Sequence, residues 1–109
     1  MMNLKFLRKD MKDICSEYNM KFGDLFILLY ANHEEVFTTN KVIKEVPFGC
    51  ETVSRGMRRL KAMSFISLIK GGGGKNKTKA LYSISGKGKT IVQHLYLRLK
   101  RSEHLTHYL

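Results

Sequence analysis

The sequence has few of the features that mark secreted, membrane-spanning or disulfide-rich proteins. Of its 109 residues only Cys15 and Cys50 are cysteines, and they form no pair motif, which predicts two free thiols in a reducing compartment. The longest apolar run, residues 25–31, is far shorter than the roughly 18 residues that cross a bilayer, and the first residues have no apolar signal segment. A single cytoplasmic domain spanning residues 1–109 is therefore expected.

Acidic side chains are missing from most of the second half of the chain. Between Thr52 and Ser102 there are thirteen lysines and arginines and no aspartate or glutamate, whereas residues 1–51 carry seven basic and eight acidic residues. The net charge of +11 is thus one-sided and favours a polyanionic partner such as nucleic acid. An anionic membrane surface would instead need a basic amphipathic helix with exposed apolar residues, and much of this charge lies in a glycine-rich loop. We therefore expect a nucleic-acid partner and no membrane.

Sequence patterns that carry chemistry are also missing. The four histidines are scattered, and no His–Cys or Ser–His–Asp grouping has local support. The glycine- and lysine-rich segments at residues 71–75 and 86–90 lack the spacing of a phosphate-binding loop. The expectation is a protein that is not an enzyme and that uses no metal and no cofactor.

Hydrophobic periodicity predicts the order of the structural elements. Apolar residues at alternating spacings of three and four over residues 4–18 indicate an amphipathic first helix, and a second helix over residues 25–32, capped by Asp24, is apolar nearly all round. A very short strand is predicted at Val36 and Phe37. The remaining elements are a third helix capped by Thr38 or Thr39, a fourth at residues 50–63, strands at residues 65–69 and 80–84, and a last helix from Ser85 to about Arg101. This order predicts a mainly α fold with a small β-hairpin (α+β), the winged helix-turn-helix plan.

The fourth helix has two contrasting faces on a helical wheel. Val53, Met57 and Leu60 form an apolar face, while Arg55 and Arg58 point nearly opposite. Such a cationic face suits the major groove of double-stranded DNA, where arginine donates two hydrogen bonds to guanine. The predicted DNA-binding residues lie on this face, at the start of the third helix and in the loop between the strands: Thr39, Thr52, Ser54, Arg55, Arg58, Arg59, Lys61, Lys75, Asn76, Lys77 and Lys79.

Gly56 lies in the middle of the fourth helix, where glycine is costly. Close approach of the helix at residues 42–46 would explain it, and a chance surface glycine is the alternative.

The residues from Thr39 to about Val92 resemble the MarR-like branch of winged-helix regulators. The resemblance is carried by Cys50–Arg55, by Leu60 six residues after Ser54, by Arg59 and Phe65-Ile66, and by the stretch Tyr82–Gly88 after the hairpin. It implies a DNA-binding regulator with a dimerisation arm, and it differs in having Ser64 where the family usually has glycine. Because only one helix follows the hairpin, the arm is shortened and a small-molecule effector is not expected, although the sequence does not exclude one.

The terminal helices, at residues 1–21 and 86–109, are predicted to form a homodimer interface, since each carries an apolar stripe. The predicted dimerisation residues are Leu4, Leu7, Met11, Ile14, Tyr18, Leu95, Tyr96 and Leu99. The alternative is that each helix packs on the chain's own core.

The sequence therefore predicts a sequence-specific, double-stranded DNA-binding transcriptional regulator. Two other functions remain open: a replication-initiation or architectural DNA-binding protein of a phage or plasmid, and a winged helix whose arginine face contacts an acidic protein.

Overall fold

Helices and a hairpin follow one another in the predicted order. The structure, a computed structural model, describes residues 4–71 and 80–107, with side chains for residues 7–71 and 80–101. The elements are α1 (Leu4–Glu17), α2 (Phe22–His33), α3 (Thr39–Glu45), α4 (Cys50–Ala62), β1 (Ile66–Lys70), β2 (Leu81–Ile84) and α5 (Gly86–His107). Within the described ranges, no helix is long and apolar enough to cross a membrane. The predicted fold class is confirmed, and α5 continues past Arg101.

The start of α2 differs from the prediction. The helix begins at Phe22 after the N-cap residue Lys21, so the prediction that Asp24 caps it is wrong. Asp24 lies in the first turn, where its Oδ2 accepts a hydrogen bond from the backbone N–H of Lys21 at 3.3 Å. A carboxylate at this position satisfies a free N–H group and complements the positive end of the helix dipole.

The cap of α3 is one of the two threonines that the sequence offered. Thr38 precedes the helix, and its Oγ1 accepts a hydrogen bond from the backbone N–H of Lys41 at 3.2 Å. Thr39 is the first helical residue. The α3 helix therefore begins after a side-chain cap, and threonine commonly has this role before a helix.

The strands β1 and β2 pair in antiparallel fashion, and together with the residues between them they are called the wing below. Leu68 lies opposite Tyr82, and the register becomes irregular between Leu68 and Lys70. Phe37 adds a single bridge to Tyr82 through two backbone hydrogen bonds of 2.9 Å. The strand predicted at Val36 and Phe37 is thus reduced to one residue.

The junction between the wing and α5 depends on close backbone contact. Ser85 Oγ accepts a hydrogen bond from the N–H of Gly88 at 3.1 Å and donates one to the carbonyl of Ser64 at 2.6 Å, which confirms Ser85 as the cap of α5. A Cβ added to Gly88 would lie 2.3 Å from the carbonyl oxygen of Phe65. Ser64 has a φ of 64°, in the left-handed region that favours glycine.

The apolar stripe of α1 packs along α5 of the same chain. Most of the predicted dimerisation residues belong to this core or pack against it: Leu7, Met11, Ile14, Tyr18, Leu95 and Leu99. Tyr96 is exposed, and the side chain of Leu4 lies outside the described residues. Four of the predicted residues, Met11, Ile14, Leu95 and Leu99, are buried within the chain, which fits the alternative that the sequence left open, and the homodimer interface stays a prediction.

Candidate nucleic-acid interface

Helix α4 has one buried face and one exposed face, as the helical wheel predicts. Val53, Met57 and Leu60 are buried in the core, while Arg55 and Arg58 are exposed on the other side. Burial of three apolar side chains fixes the rotation of the helix about its axis. The two arginines are thereby held outward on a rigid element.

The turn that leads into α4 is anchored by an aromatic side chain. The ring of Phe48 lies 5.4 Å from that of Phe26 in α2, centroid to centroid, at an interplanar angle of 69°. Phe26 in turn packs on Phe22, also at 5.4 Å. The edge-on contact between Phe26 and Phe48 is favourable beyond the area that it buries, and it holds the turn before α4 against α2.

Gly56 lies where α4 approaches another helix closely. A Cβ at this position would lie 2.7 Å from Cδ1 of Ile27 and 2.8 Å from Oδ1 of Asp24, both in α2. The predicted close approach is correct, but the partner is α2 and not the α3 region at residues 42–46. The reason is that α2 crosses behind α4, with Gly56 on the buried face.

A bidentate ion pair joins the same two helices. Arg59 donates two hydrogen bonds to Asp24, from Nε to Oδ2 at 3.0 Å and from Nη2 to Oδ1 at 2.8 Å. The Asp24 side chain is 1% exposed and that of Arg59 is 31% exposed. The hydrogen bond to Asp24 raises the pKa of Arg59, which outweighs the opposing effect of burial. This pair locks the helix that carries the exposed arginines.

Arg59 was predicted to contact DNA, and its guanidinium has Asp24 as a partner within the chain. The DNA contact itself stays a prediction. Asp24 was not among the predicted site residues. A sequence signal for it exists, because a lone carboxylate in an otherwise apolar helix requires a buried cationic or hydrogen-bonding partner.

On the exposed side of α4, Arg55 is paired with Glu51 one turn earlier. The Nη2–Oε1 distance is 2.5 Å, and the side chains are 67% and 77% exposed. Exposed pairs at this spacing contribute only about 0.3–0.5 kcal/mol to stability. Arg58 and Lys61 are exposed nearby on the same helix. The face is therefore cationic, with one carboxylate near its start.

The other predicted DNA-binding residues fall into two groups. Thr52 is exposed beside Glu51, and Ser54 and Thr39 are half-buried at the starts of α4 and α3. The predicted contacts in the wing lie outside the described residues: Lys75, Asn76, Lys77 and Lys79.

A lysine at the start of α5 contacts the end of α4 and the residue that precedes β1. Lys87, at the start of α5, donates a hydrogen bond to the carbonyl of Met63 at 3.2 Å, and its Nζ lies 5.2 Å from the ring centre of Phe65. A cation beside the C-terminal end of a helix complements the helix dipole. Lys87 therefore holds the start of α5 against the end of α4.

Side-chain contacts also fasten α1 to α5. Tyr18 and His94 are hydrogen-bonded at 2.5 Å, and Arg98 forms an ion pair with Glu17. The hydrogen bond to Glu17 raises the pKa of Arg98.

On the outer side of α5, Tyr96 and Leu97 remain 49% and 59% exposed.

No protein-family model and no curated protein matches the amino-acid sequence. Solved structures do match, and the three described below are 12–15% identical to this chain. A mutant MepR of S. aureus bound to oligodeoxyribonucleotide superposes with a TM-score of 0.77 at 14% identity, over 92% of this chain and 72% of that one. A mutant MarR from E. coli complexed with operator DNA gives a TM-score of 0.69 at 12% identity, over 88% and 67%.

A third match is MarR from S. aureus in complex with salicylate and kanamycin, with a TM-score of 0.74 at 15% identity, over 90% of this chain and 64% of that one. At such identities the likeness is one of fold. Many of the matched structures are MarR-family transcriptional regulators, in keeping with the resemblance of residues 39–92. The chain therefore has the winged helix fold of MarR-family transcriptional regulators.

Proposed function

We propose that this protein is a sequence-specific, double-stranded DNA-binding protein that acts as a transcriptional regulator. The observation that carries the proposal is the exposed cationic face of α4, with Arg55, Arg58 and Lys61 outward while Val53, Met57 and Leu60 hold the opposite face in the core. In this proposal α4 enters the major groove.

The chemistry of the exposed side chains suits that groove. Arginine donates two parallel hydrogen bonds to O6 and N7 of guanine, which no other base pair reproduces. Thr52 and Ser54 lie near the start of the helix, where hydroxyl and backbone N–H groups commonly bind phosphate. Arg59, whose guanidinium is held by Asp24, stabilises α4 in this proposal and is not the first candidate for a base contact.

The charge distribution adds a sequence-independent attraction. The region from Thr52 to Ser102 contains thirteen lysines and arginines and no acidic residue. When such a side chain neutralises a phosphate, a counterion is released from the DNA, which favours binding. The lysines of the wing, Lys75, Lys77 and Lys79, are proposed to contact phosphate beside the groove occupied by α4.

The comparisons support the proposal in the same direction. Two of the matched proteins are complexes with DNA, one of them with operator DNA. Since their likeness to this chain is one of fold, the argument for DNA binding rests on the side chains of α4 and on the charge.

We also propose a homodimer, formed through the outer side of α5. Tyr96 and Leu97 are large apolar side chains exposed on that side, and a two-fold arrangement would place two α4 helices about one DNA turn apart. Light scattering on a sizing column is expected to give twice the chain mass of 12.6 kDa. A mass near 12.6 kDa at micromolar concentration would rule the dimer out.

Selection of bound sequences from a random duplex pool tests the main proposal. A regulator is expected to enrich one sequence, palindromic if the dimer forms, with half-sites about 10 base pairs apart. Salt-dependent binding without enrichment would favour the architectural alternative, and absence of duplex binding would favour a protein partner for the arginine face.

A further inference from the structure

Glu51 is a carboxylate on the face of α4 that is proposed to meet DNA. It is the last acidic residue before a stretch without any that extends to Ser102. Its side chain is 77% exposed and its Oε1 accepts a hydrogen bond from Nη2 of Arg55. A negative charge at this position opposes phosphate binding, so a helix selected only for affinity to DNA would gain from its loss.

Stability of the helix accounts for part of this placement. Gly49 is the N-cap residue and provides no side-chain cap, so an acidic residue in the first turn complements the helix dipole. That role requires a charge near the end of the helix. It does not require the contact with Arg55.

We propose that Glu51 is a positioning residue that sets base preference by acting through Arg55. The inference rests on the proposed DNA-binding function of α4. Glu51 holds one nitrogen of the guanidinium and leaves the remaining N–H groups to donate in a restricted direction. Arginine is a long side chain that loses much rotamer freedom on binding, and fixing it in advance reduces that loss for one geometry of contact.

The carboxylate also acts against the wrong partner. An unpaired arginine binds the phosphate backbone wherever it can reach it, which carries no sequence information. With Glu51 alongside, a phosphate that approaches Arg55 meets the negative charge of Glu51, whereas the O6 and N7 acceptors of guanine carry no net charge. Repulsion of a competing partner is a common source of specificity. The Glu51–Arg55 pair is therefore suited to a G·C base pair and disfavours phosphate.

The test is a double-mutant cycle in which the measured quantity is the discrimination between base pairs. The variants are Glu51→Gln, Arg55→Gln and the two combined, with Glu35→Gln as a control that removes an exposed acidic residue outside α4. Affinity is measured at one salt concentration for the duplex selected from the random pool, for its single-base-pair variants and for random duplex. The position at which Arg55→Gln loses preference identifies the base pair that Arg55 reads.

We expect Glu51→Gln to bind random duplex at least as tightly as the wild type and to lose about tenfold in discrimination at that same position. In the Arg55→Gln background, Glu51→Gln should change discrimination no further, since the two act as a unit. Glu35→Gln should keep the wild-type discrimination at every position.

The inference is overturned if Glu51→Gln keeps full discrimination at every position. This includes a variant that only has a lower melting temperature, because Glu51 would then stabilise the helix without affecting base preference. It is also overturned if the effects of Glu51→Gln and Arg55→Gln on discrimination add. A wild-type protein that does not bind duplex DNA is a separate result, which removes the proposed function and this inference with it.

Discussion

The buried carboxylate of Asp24 in α2 accepts two hydrogen bonds from the guanidinium of Arg59 in α4, at 3.0 and 2.8 Å. The contact joins the helix behind the proposed interface to the helix that forms it. Because both hydrogen bonds are charge-assisted and one partner is excluded from water, the pair constrains the angle and register between the two helices. The exposed arginines of α4 depend on that constraint for their position.

Asp24→Ala is expected to destabilise the protein by about 3 kcal/mol, because it leaves the partly buried charge of Arg59 without its partner. This value is at the low end for a broken buried ion pair, because the Arg59 side chain keeps some contact with water. Urea unfolding followed by circular dichroism measures the change. The matched control is Glu35→Ala at an exposed site, expected within about 0.5 kcal/mol of the wild type. A loss below about 1 kcal/mol for Asp24→Ala would show that the pair contributes little.

Glycine-to-alanine substitutions are expected to rank by the space around each Cβ. A Cβ added at Gly86 would have no atom within 4 Å, so Gly86→Ala should leave the stability unchanged or raise it slightly. Gly56→Ala should cost about 1–3 kcal/mol, because the added Cβ forces Ile27 and Asp24 to shift. The free-energy cost of that shift exceeds the gain from the higher helix propensity of alanine. Gly88→Ala should cost most, as its Cβ would meet a backbone carbonyl at 2.3 Å. Melting temperatures test the order, and equal values for Gly86→Ala and Gly88→Ala would contradict it.

Ser64→Gly is expected to raise stability. Ser64 has a positive φ of 64°, and a non-glycine residue in that region is strained by about 1–2 kcal/mol. Part of this gain is offset by the greater freedom of glycine in the unfolded chain, so a net gain of about 0.5–1 kcal/mol is expected. The carbonyl that accepts from Ser85 is kept in the variant. A lower melting temperature than that of the wild type would contradict the strain.

Replacing Lys75, Lys77 and Lys79 together by alanine is expected to weaken binding to selected and random duplex alike. The slope of log affinity against log salt should fall by about 0.9 for each phosphate that the variant no longer neutralises. A titration at several salt concentrations measures the slope. A triple variant with the wild-type slope would place these lysines away from DNA.

The pattern of the sequence was sufficient for the element order, because local signals fix it. The 3–4 spacing of apolar residues located α1 and the faces of α4. Ser85 and the pair Thr38 and Thr39 indicated two helix starts through their capping chemistry. Contacts between helices could not be read in this way. Nothing local indicates that α2 and not α3 faces Gly56, or that Arg59 reaches Asp24, since both depend on how the helices cross.

The apolar stripe from Leu7 to Tyr18 shows the same limit from another side. Its spacing predicts a helix that packs lengthwise on another helix, and α5 of the same chain meets that requirement as well as a second chain would. Periodicity identifies the buried face but not the identity of its partner.

The central claim is that the exposed face of α4 reads base sequence, and the ratio of affinities for selected and random duplex in arginine variants tests it most directly. Arg55→Ala and Arg58→Ala should each reduce that ratio by the equivalent of about 1–3 kcal/mol while the melting temperature stays near that of the wild type. Lys12→Ala, at an exposed position of α1, removes the same charge outside the interface and should leave the ratio unchanged. Wild-type ratios in both arginine variants would contradict the account, since α4 would then not be the element that recognises DNA.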